Sequence, residues 1–375
     1  MTLRYIFDFL VNPMLPPLFI FKNDDRHYLN HQLWNMKTYK VKIFLLIVAA
    51  AVFGCDTRPD SDDRKTVKRE YELVEEWPQL SAGYALSQPT GIGIDTSEHI
   101  FVFHRTGRQW TEPFPDSLIS QNTILELDNE TGKILNSWGA DYFIMPHGLT
   151  VDEANNVWVT DVGLHQIFKF SHEGHLLLKF GVAKIPGNDS LHFYLPTDVA
   201  VADDGSFYVS DGYGNSRVVK FSASGKYLLE WGKHGDKPGE FDIPHGITLD
   251  SKGNVYVADR QNNRIQMFDS NGAFLKELKN NEQVVQLPSV TIDNNQNLFA
   301  IDYDFQDTVI HGSTIFRYDS AGNIADRFGG LGTIKRTTSW YHDISVDKNG
   351  SIYVGDIRSK RILKFIVKPI EMEKQ

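Results

Sequence analysis

Six segments of the chain share one tripeptide frame: Pro89-Thr90-Gly91, Pro146-His147-Gly148, Pro196-Thr197-Asp198, Pro244-His245-Gly246, Pro288-Ser289-Val290 and Tyr341-His342-Asp343. The middle residue runs Thr, His, Thr, His, Ser, His. If the segments are equivalent units of a closed ring, every second unit offers an imidazole from the same place, and three histidines meet near the axis. Three neutral imidazoles with a fourth position open is the pattern of a catalytic metal, most often zinc. One histidine at such a place is most simply a turn residue making a hydrogen bond; three in alternating units favour a metal.

The elements that would carry these residues are short strands. Residues 244–275 are the clearest copy: Pro244-His-Gly-Ile-Thr-Leu-Asp250, Asn254-Val-Tyr-Val-Ala-Asp259, Arg264-Ile-Gln-Met-Phe-Asp269 and Ala273-Phe-Leu. Each run alternates or is β-branched and is bounded by Gly, Asn, Asp or Ser, which predicts four consecutive antiparallel strands. The second run recurs as Asn156 to Asp161, Ser206 to Asp211, Asn297 to Asp302 and Ser351 to Asp356. The unit starts lie roughly 44 to 57 residues apart, a period that with four strands each means an all-β, six-bladed β-propeller. The last copy shows only three strands, ending in Arg361-Ile-Leu-Lys-Phe365-Ile-Val. Tyr71-Glu-Leu-Val-Glu-Glu-Trp77 looks like the outer strand Tyr227 to Trp231, so an N-terminal strand is expected to complete the last blade and protect its edge.

The chain has 375 residues, of which 41% are hydrophobic and 23% charged, suiting a globular domain with a large core. A net charge of -10 and no dense Lys/Arg patch set nucleic acid aside. The one cysteine, Cys55, excludes an intramolecular disulfide. It closes a signal-like stretch: Met36, Lys37, Lys40 and Lys42, then apolar Ile43 to Phe53, then Gly54-Cys55. This resembles a bacterial lipoprotein signal, and the expectation is an exported protein anchored to the membrane by lipid on Cys55. Phe53 departs from the small or β-branched residue usual there; the alternatives are a secretory signal cut elsewhere and a short transmembrane anchor, for which about 11 apolar residues are too few to span comfortably. The resulting organisation is 1–35 as an upstream extension with Met36 as the true start, 36–54 as signal, 55–70 as a polar tether, 71–367 as the propeller and 368–375 as a tail. A monomer is expected.

The repeats resemble NHL repeats. Met145-Pro-His-Gly-Leu-Thr-Val-Asp152, Trp158-Val-Thr-Asp-Val-Gly-Leu-His-Gln166, Pro196-Thr-Asp-Val-Ala-Val201, Val209-Ser-Asp-Gly-Tyr-Gly-Asn-Ser-Arg217 and Val257-Ala-Asp-Arg-Gln-Asn-Asn-Arg264 resemble, in the same order, the lyase domain of peptidylglycine α-amidating enzymes. The resemblance covers roughly residues 71–367. It implies a carbon–nitrogen lyase that cleaves a C-terminal α-hydroxyglycine to an amide and glyoxylate, with no monooxygenase domain expected on this chain. It assigns zinc to His147, His245 and His342, the base to Tyr213, and the active-site arginines to Arg105 and Arg260. It also implies a structural calcium held by Asp343 and the backbone carbonyls of Ile92 and Leu149. Tyr213 on its own residues could equally be rim packing, and each arginine a surface salt bridge; a nearby cation and guanidiniums would favour a phenolate. Arg217 and Arg264, further along their loops, read as structural. The family's two disulfides are missing, with Tyr194 and Gly214 at one pair of positions and Tyr256 and Met267 at the other. Two other functions fit the same scaffold: a non-catalytic NHL propeller that binds protein or glycan, and a metal-dependent hydrolase or lactonase.

Overall fold

The computed structural model describes residues 70–279, 284–306, 309–330 and 338–368. The expected extension, signal, nearly all of the tether and the tail beyond Lys368 lie outside the described residues. Every regular element among the described residues is a strand. The first, β1 (Glu70–Leu73), belongs to the last blade. Blade 1 is β2 (Pro89–Ile94), β3 (Ile100–His104), β4 (Ile124–Leu127) and β5 (Ile134–Trp138); blade 2 is β6 (Pro146–Val151), β7 (Val157–Asp161), β8 (Gln166–Phe170) and β9 (Leu176–Phe180). Blade 3 is β10 (Asp198–Val201), β11 (Phe207–Asp211), β12 (Arg217–Phe221) and β13 (Tyr227–Trp231); blade 4 is β14 (Pro244–Leu249), β15 (Val255–Asp259), β16 (Arg264–Phe268) and β17 (Phe274–Lys279). Blade 5 is β18 (Ser289–Ile292) and β19 (Leu298–Ile301), then a hairpin of β20 (Asp304–Gln306) and β21 (Val309–Gly312) that forms its own small sheet, then β22 (Ile315–Tyr318) and β23 (Ile324–Phe328). Blade 6 is β24 (Tyr341–Val346), β25 (Ile352–Asp356) and β26 (Arg361–Lys368). The inserted hairpin was not anticipated, because Asp304 to Gly312 interrupts no repeat landmark.

The chain's N-terminal strand closes the ring as expected, but over a shorter span. β1 pairs antiparallel with β26 from Glu70↔Lys368 to Leu73↔Phe365, and the Val74 N–H adds a bond to the Lys364 carbonyl at 2.9 Å. Pro78 restricts the residue before it and cannot donate to a ladder, so Trp77 leaves the strand plane. Its indole is buried and donates to the Asn129 carbonyl at 2.9 Å. Tyr71 stacks on Phe328 of blade 5, ring centroids 3.9 Å apart, so the closing strand also joins two blades.

Period-2 alternation puts one face of each sheet against the next blade, and the hydrophobic core is therefore divided among the blade junctions. Phe103 and Ile124 of blade 1 meet Val157 and Phe168 of blade 2; Val209 and Val219 of blade 3 meet Trp158 and Ile167 of blade 2; Tyr353 and Ile362 of blade 6 meet Ile92 and Val102 of blade 1. A second repeated device is polar. The aspartate ending the second strand accepts backbone N–H groups from the segment leading into the inner strand: Asp161 from Ile144 and Met145, Asp211 from Tyr194, Asp259 from Asp242 and Asp356 from Trp340. An arginine starting the third strand braces that aspartate in blades 3 and 4. Arg217 Nε lies 2.9 Å from Asp211 and Arg264 Nε 2.7 Å from Asp259. The structural reading of these two arginines therefore holds.

Arg264 is almost wholly buried; it also binds Glu277 at 2.6 Å and three backbone carbonyls, so every face of its guanidinium is used. Replacing Arg264 with Met leaves Asp259 buried without its cation. The expected loss is about 3–5 kcal/mol, the scale for removing one partner of a buried pair, measured by urea unfolding monitored by circular dichroism.

Candidate metal centre and active site

His147, His245 and His342 open β6, β14 and β24, the inner strands of blades 2, 4 and 6. All three are buried. Their ring centroids are 4.7 to 5.0 Å apart, and one ligand nitrogen from each lies within 4.8 Å of the others. The alternating pattern thus brings them to one point. Their orientation comes from the intervening blades. His147 Nδ1 lies 2.6 Å from the Thr197 carbonyl, His245 Nδ1 2.7 Å from the Pro288 carbonyl and His342 Nδ1 2.8 Å from the Thr90 carbonyl. A carbonyl can only accept, so each Nδ1 carries the proton and each Nε2 keeps a lone pair. Burial, then the charges of His342, Arg105 and Arg260, holds His147 well below the ordinary imidazole pKa; burial, then His147, Arg260 and His342, does the same for His245; burial and Arg105 bring His342 to about 3. All three are neutral at physiological pH, the form a metal requires.

Tyr213 follows β11, and its hydroxyl reaches the same point. It sits 3.1 Å from His147 Nε2, 3.0 Å from His245 Nε2 and 3.1 Å from Arg260 Nη1. Two glycines allow this placement. A Cβ on Gly212 would lie 1.9 Å from the Pro244 carbonyl oxygen, and one on Gly214 2.2 Å from the Tyr194 ring. Gly214 N–H also donates to the Tyr194 carbonyl at 2.9 Å. Tyr194 and Gly214, at one missing disulfide, are therefore still in contact, and ring packing with a backbone bond takes the place of the bridge. Tyr256 and Met267, at the other, are cross-strand partners in β15 and β16.

Arg105 and Arg260 both face this point. Arg105 is buried, donates from Nε to the Pro146 carbonyl at 3.2 Å and lies under Trp110, 5.3 Å from its ring centroid. Burial lowers its pKa to about 10, with Tyr213 and Asp161 opposing, so it stays cationic at neutral pH. Arg260 lies against the Tyr213 ring at 5.0 Å, and its buried Nε has no hydrogen-bond partner. Burial disfavours its charge, but the oxygens of Tyr213 and Tyr303 outweigh that and hold its pKa above the ordinary value. Trp110 also packs on Tyr213, centroids 5.3 Å apart. Sequence reasoning missed Trp110, which lies in a long loop of blade 1 with no counterpart in the other blades, and Tyr303, although Tyr303 follows Asp302 at the position that Arg260 holds after Asp259. The orienting carbonyls of Thr90, Thr197 and Pro288 were traceable in principle, because they open the blades without a histidine.

Asp343, beside His342, is also buried. It accepts the Ile92 N–H at 2.7 Å and the Ser289 hydroxyl at 2.6 Å, while the Ile92 carbonyl accepts from Ser345 at 2.7 Å. Burial pushes its pKa up to about 7; burial and then the Asp343 charge push Asp198 well above the carboxylate range. A buried acid and a partly buried one close enough to repel each other form a place where a cation would be welcome. The sequence did not single out Asp198.

An NHL repeat profile matches residues 143–170, 193–221 and 241–268. The chain is 35% identical over 331 residues to peptidyl-glycine alpha-amidating monooxygenase B of Xenopus laevis, covering 82% of this chain and 37% of that protein. It is 32% identical over 336 residues to peptidyl-alpha-hydroxyglycine alpha-amidating lyase 1 of Drosophila melanogaster, covering 79% of this chain and 60% of that protein. NHL repeat-containing protein 3 of Mus musculus is 32% identical over 255 residues, 64% of this chain and 71% of that protein. The chain spans about a third of the length of the monooxygenases it matches. A streptogramin B lyase structure superposes with a TM-score of 0.53 at 17% identity, covering 80% of this chain and 98% of that one, a likeness of fold alone.

If the triad holds a metal, replacing any one of His147, His245 or His342 with Ala should abolish its binding, because two imidazoles make an incomplete cage. Tyr213→Phe should retain it. Elemental analysis of the purified variants after dialysis checks both.

Proposed function

Since the chain belongs to the NHL-repeat family of the peptidyl-α-hydroxyglycine α-amidating lyases, we propose that it cleaves a C-terminal α-hydroxyglycine to a peptide amide and glyoxylate. The supporting observation is the Tyr213 hydroxyl, within hydrogen-bond distance of His147, His245 and Arg260 at once. In this reaction the α-hydroxyl loses its proton, its oxygen becomes the carbonyl of glyoxylate, and the Cα–N bond pair leaves with the nitrogen, which takes up a proton to become the amide. Tyr213 is the group placed to accept the hydroxyl proton, and Arg260 holds the tyrosine oxygen while it does so. The unpartnered Nε of Arg260, with Arg105 beneath Trp110, suits the substrate's carboxylate.

The donor set of three neutral histidines fits zinc, which would supply Lewis-acid polarisation of a substrate oxygen. Calcium would be held by Asp343 with the Ile92 and Leu149 carbonyls, as the family resemblance implies, its hard charge offsetting the acids. The propeller is proposed to be exported and tethered through lipid on Cys55; mass spectrometry of the mature protein should find Cys55 modified and nothing upstream of it.

Tyr213→Phe keeps the ring and removes only the hydroxyl. With an α-hydroxyglycyl peptide it should lower turnover by about 100-fold or more, the scale of a lost general base, while the fold and metal content stay near wild type. Arg105→Ala and Arg260→Ala should also keep the metal, and their loss should shrink for a substrate whose carboxylate is amidated. Full activity of Tyr213→Phe would remove the proposed base. Separately, calcium should raise the melting temperature of the wild type and leave that of Asp343→Asn unchanged, a difference read directly by calorimetry.

A further inference from the structure

Blade 1 departs from the other blades at the end away from the histidine triad. After the inner strand, the same aspartate recurs in five blades, and its Oδ1 accepts the N–H groups two and four residues on. In blade 1 this is Asp95, bonded by Ser97 at 2.9 Å and His99 at 2.8 Å. Where blades 2, 4 and 5 place Asn four residues after the aspartate, its amide donates to the free Oδ2: Asn156 to Asp152 at 3.0 Å, Asn254 to Asp250 at 2.7 Å and Asn297 to Asp293 at 2.7 Å. Blade 1 has His99 there. Its buried Nδ1 lies 3.3 Å from Asp95 Oδ2 and makes no hydrogen bond.

A second change sits opposite. The third-strand residue paired with Phe101 is Glu126, while the residues at the same register in blades 2, 3, 5 and 6 are Lys169, Lys220, Arg317 and Lys364. In blade 2 that lysine neutralises the turn aspartate, Lys169 to Asp152 at 3.3 Å. Blade 1 has reversed the charge, putting a buried glutamate beside a buried aspartate. The replacement for the missing cation comes partly from the next blade: His172, in the turn after β8, lies 3.0 Å from Asp95 Oδ2 and 3.7 Å from Glu126 Oε1, and His99 Nδ1 lies 2.9 Å from Glu126 Oε1.

We propose that Asp95, His99, Glu126 and His172 form a second metal site, taking a divalent transition metal of the zinc class and joining blades 1 and 2. One ligand atom from each lies within 4.8 Å of the others. The four nitrogen–oxygen separations, 2.9 to 3.7 Å, bracket the ~3.3 Å edge of a tetrahedron with bonds of about 2.0–2.1 Å. Two imidazoles and two carboxylates make a closed structural set with no open position. The Asp95 Oδ1 bonds to backbone N–H groups fix the carboxylate and leave Oδ2 for the metal, the outer support such ligands need. His172 Nε2 can donate to Asp95 Oδ2 at 3.0 Å, but an Nδ1–H on His99 points along neither carboxylate contact, so protonated imidazoles do not account for the placement of His99.

The site is separate from the triad, so it is tested in full-length His147→Ala protein, where the axial metal is lost. That protein should hold one equivalent of zinc after dialysis, and cobalt loaded in its place should give tetrahedral visible bands. Adding His99→Ala and His172→Ala should bring the metal to zero and abolish the bands. In otherwise wild-type protein, Glu126→Lys installs the residue that blades 2, 3 and 6 use; it should keep the fold while removing one metal equivalent and any chelator-induced loss of melting temperature that His147→Ala protein still shows. No bound zinc in His147→Ala protein, or unchanged metal content when His99 and His172 are replaced, would overturn the proposal.

Discussion

The structure depends on how each inner strand is started. In every blade but the first, the second strand runs into a buried aspartate that accepts backbone N–H groups and fixes the segment entering the inner strand; Asp161 does this for His147, Asp259 for His245 and Asp356 for His342. A propeller has six such starts close to one axis, so a small error in any of them would move a side chain out of reach of the others. The neighbouring blade then supplies the last constraint, a carbonyl for each histidine Nδ1. The triad is therefore built by all six blades: three give imidazoles and three give the carbonyls that orient them. Its geometry is as stiff as the ring, and it is set before any ligand arrives.

Closure keeps the ring stiff without a disulfide. β1 pairs with β26 while Tyr71 stacks on Phe328, so parting the chain's two ends also costs an inter-blade contact. At the site the same substitution of packing for covalent linkage appears at Tyr194 and Gly214. The Tyr194 ring occupies the space a side chain on residue 214 would need, and this holds the loop carrying Tyr213. In a chain with one cysteine, the Tyr194 ring and its backbone bond to Gly214 hold the loop where a bridge could have done so.

The repeat made most of this legible. Blade number, strand order, the closing strand and the three histidines all follow from one frame read six times, because a closed ring turns equal sequence position into equal spatial position. Tyr213, Arg105 and Arg260 needed the family resemblance, since a tyrosine or arginine after a strand has many ordinary uses. What the sequence hid was whatever depends on contact between blades rather than on position within one. Asp198 faces Asp343 across two blades, and Trp110 folds back onto Arg105 and Tyr213 from a long loop; neither pairing has a spacing to read. The inserted hairpin in blade 5 and the early end of β1 are local matters, decided by an unrepeated segment and by Pro78.

The repeat also supplies its own control. When five or six copies of one unit are held in equivalent surroundings, the residues they share report what the fold needs, and a departure in one copy reports something else. His147, His245 and His342 depart from Thr and Ser at a position where either type completes the turn, so the strand start does not explain them. His99 stands where blades 2, 4 and 5 use an Asn that satisfies the turn aspartate, and Glu126 stands where blade 2 uses the lysine that neutralises it. A random change at those two places would leave buried carboxylates uncompensated, at a cost of several kcal/mol if both stayed charged. Both changes occur in the same blade, face each other, and meet a histidine from the next blade. A cation shared by all four side chains resolves that conflict with one interaction.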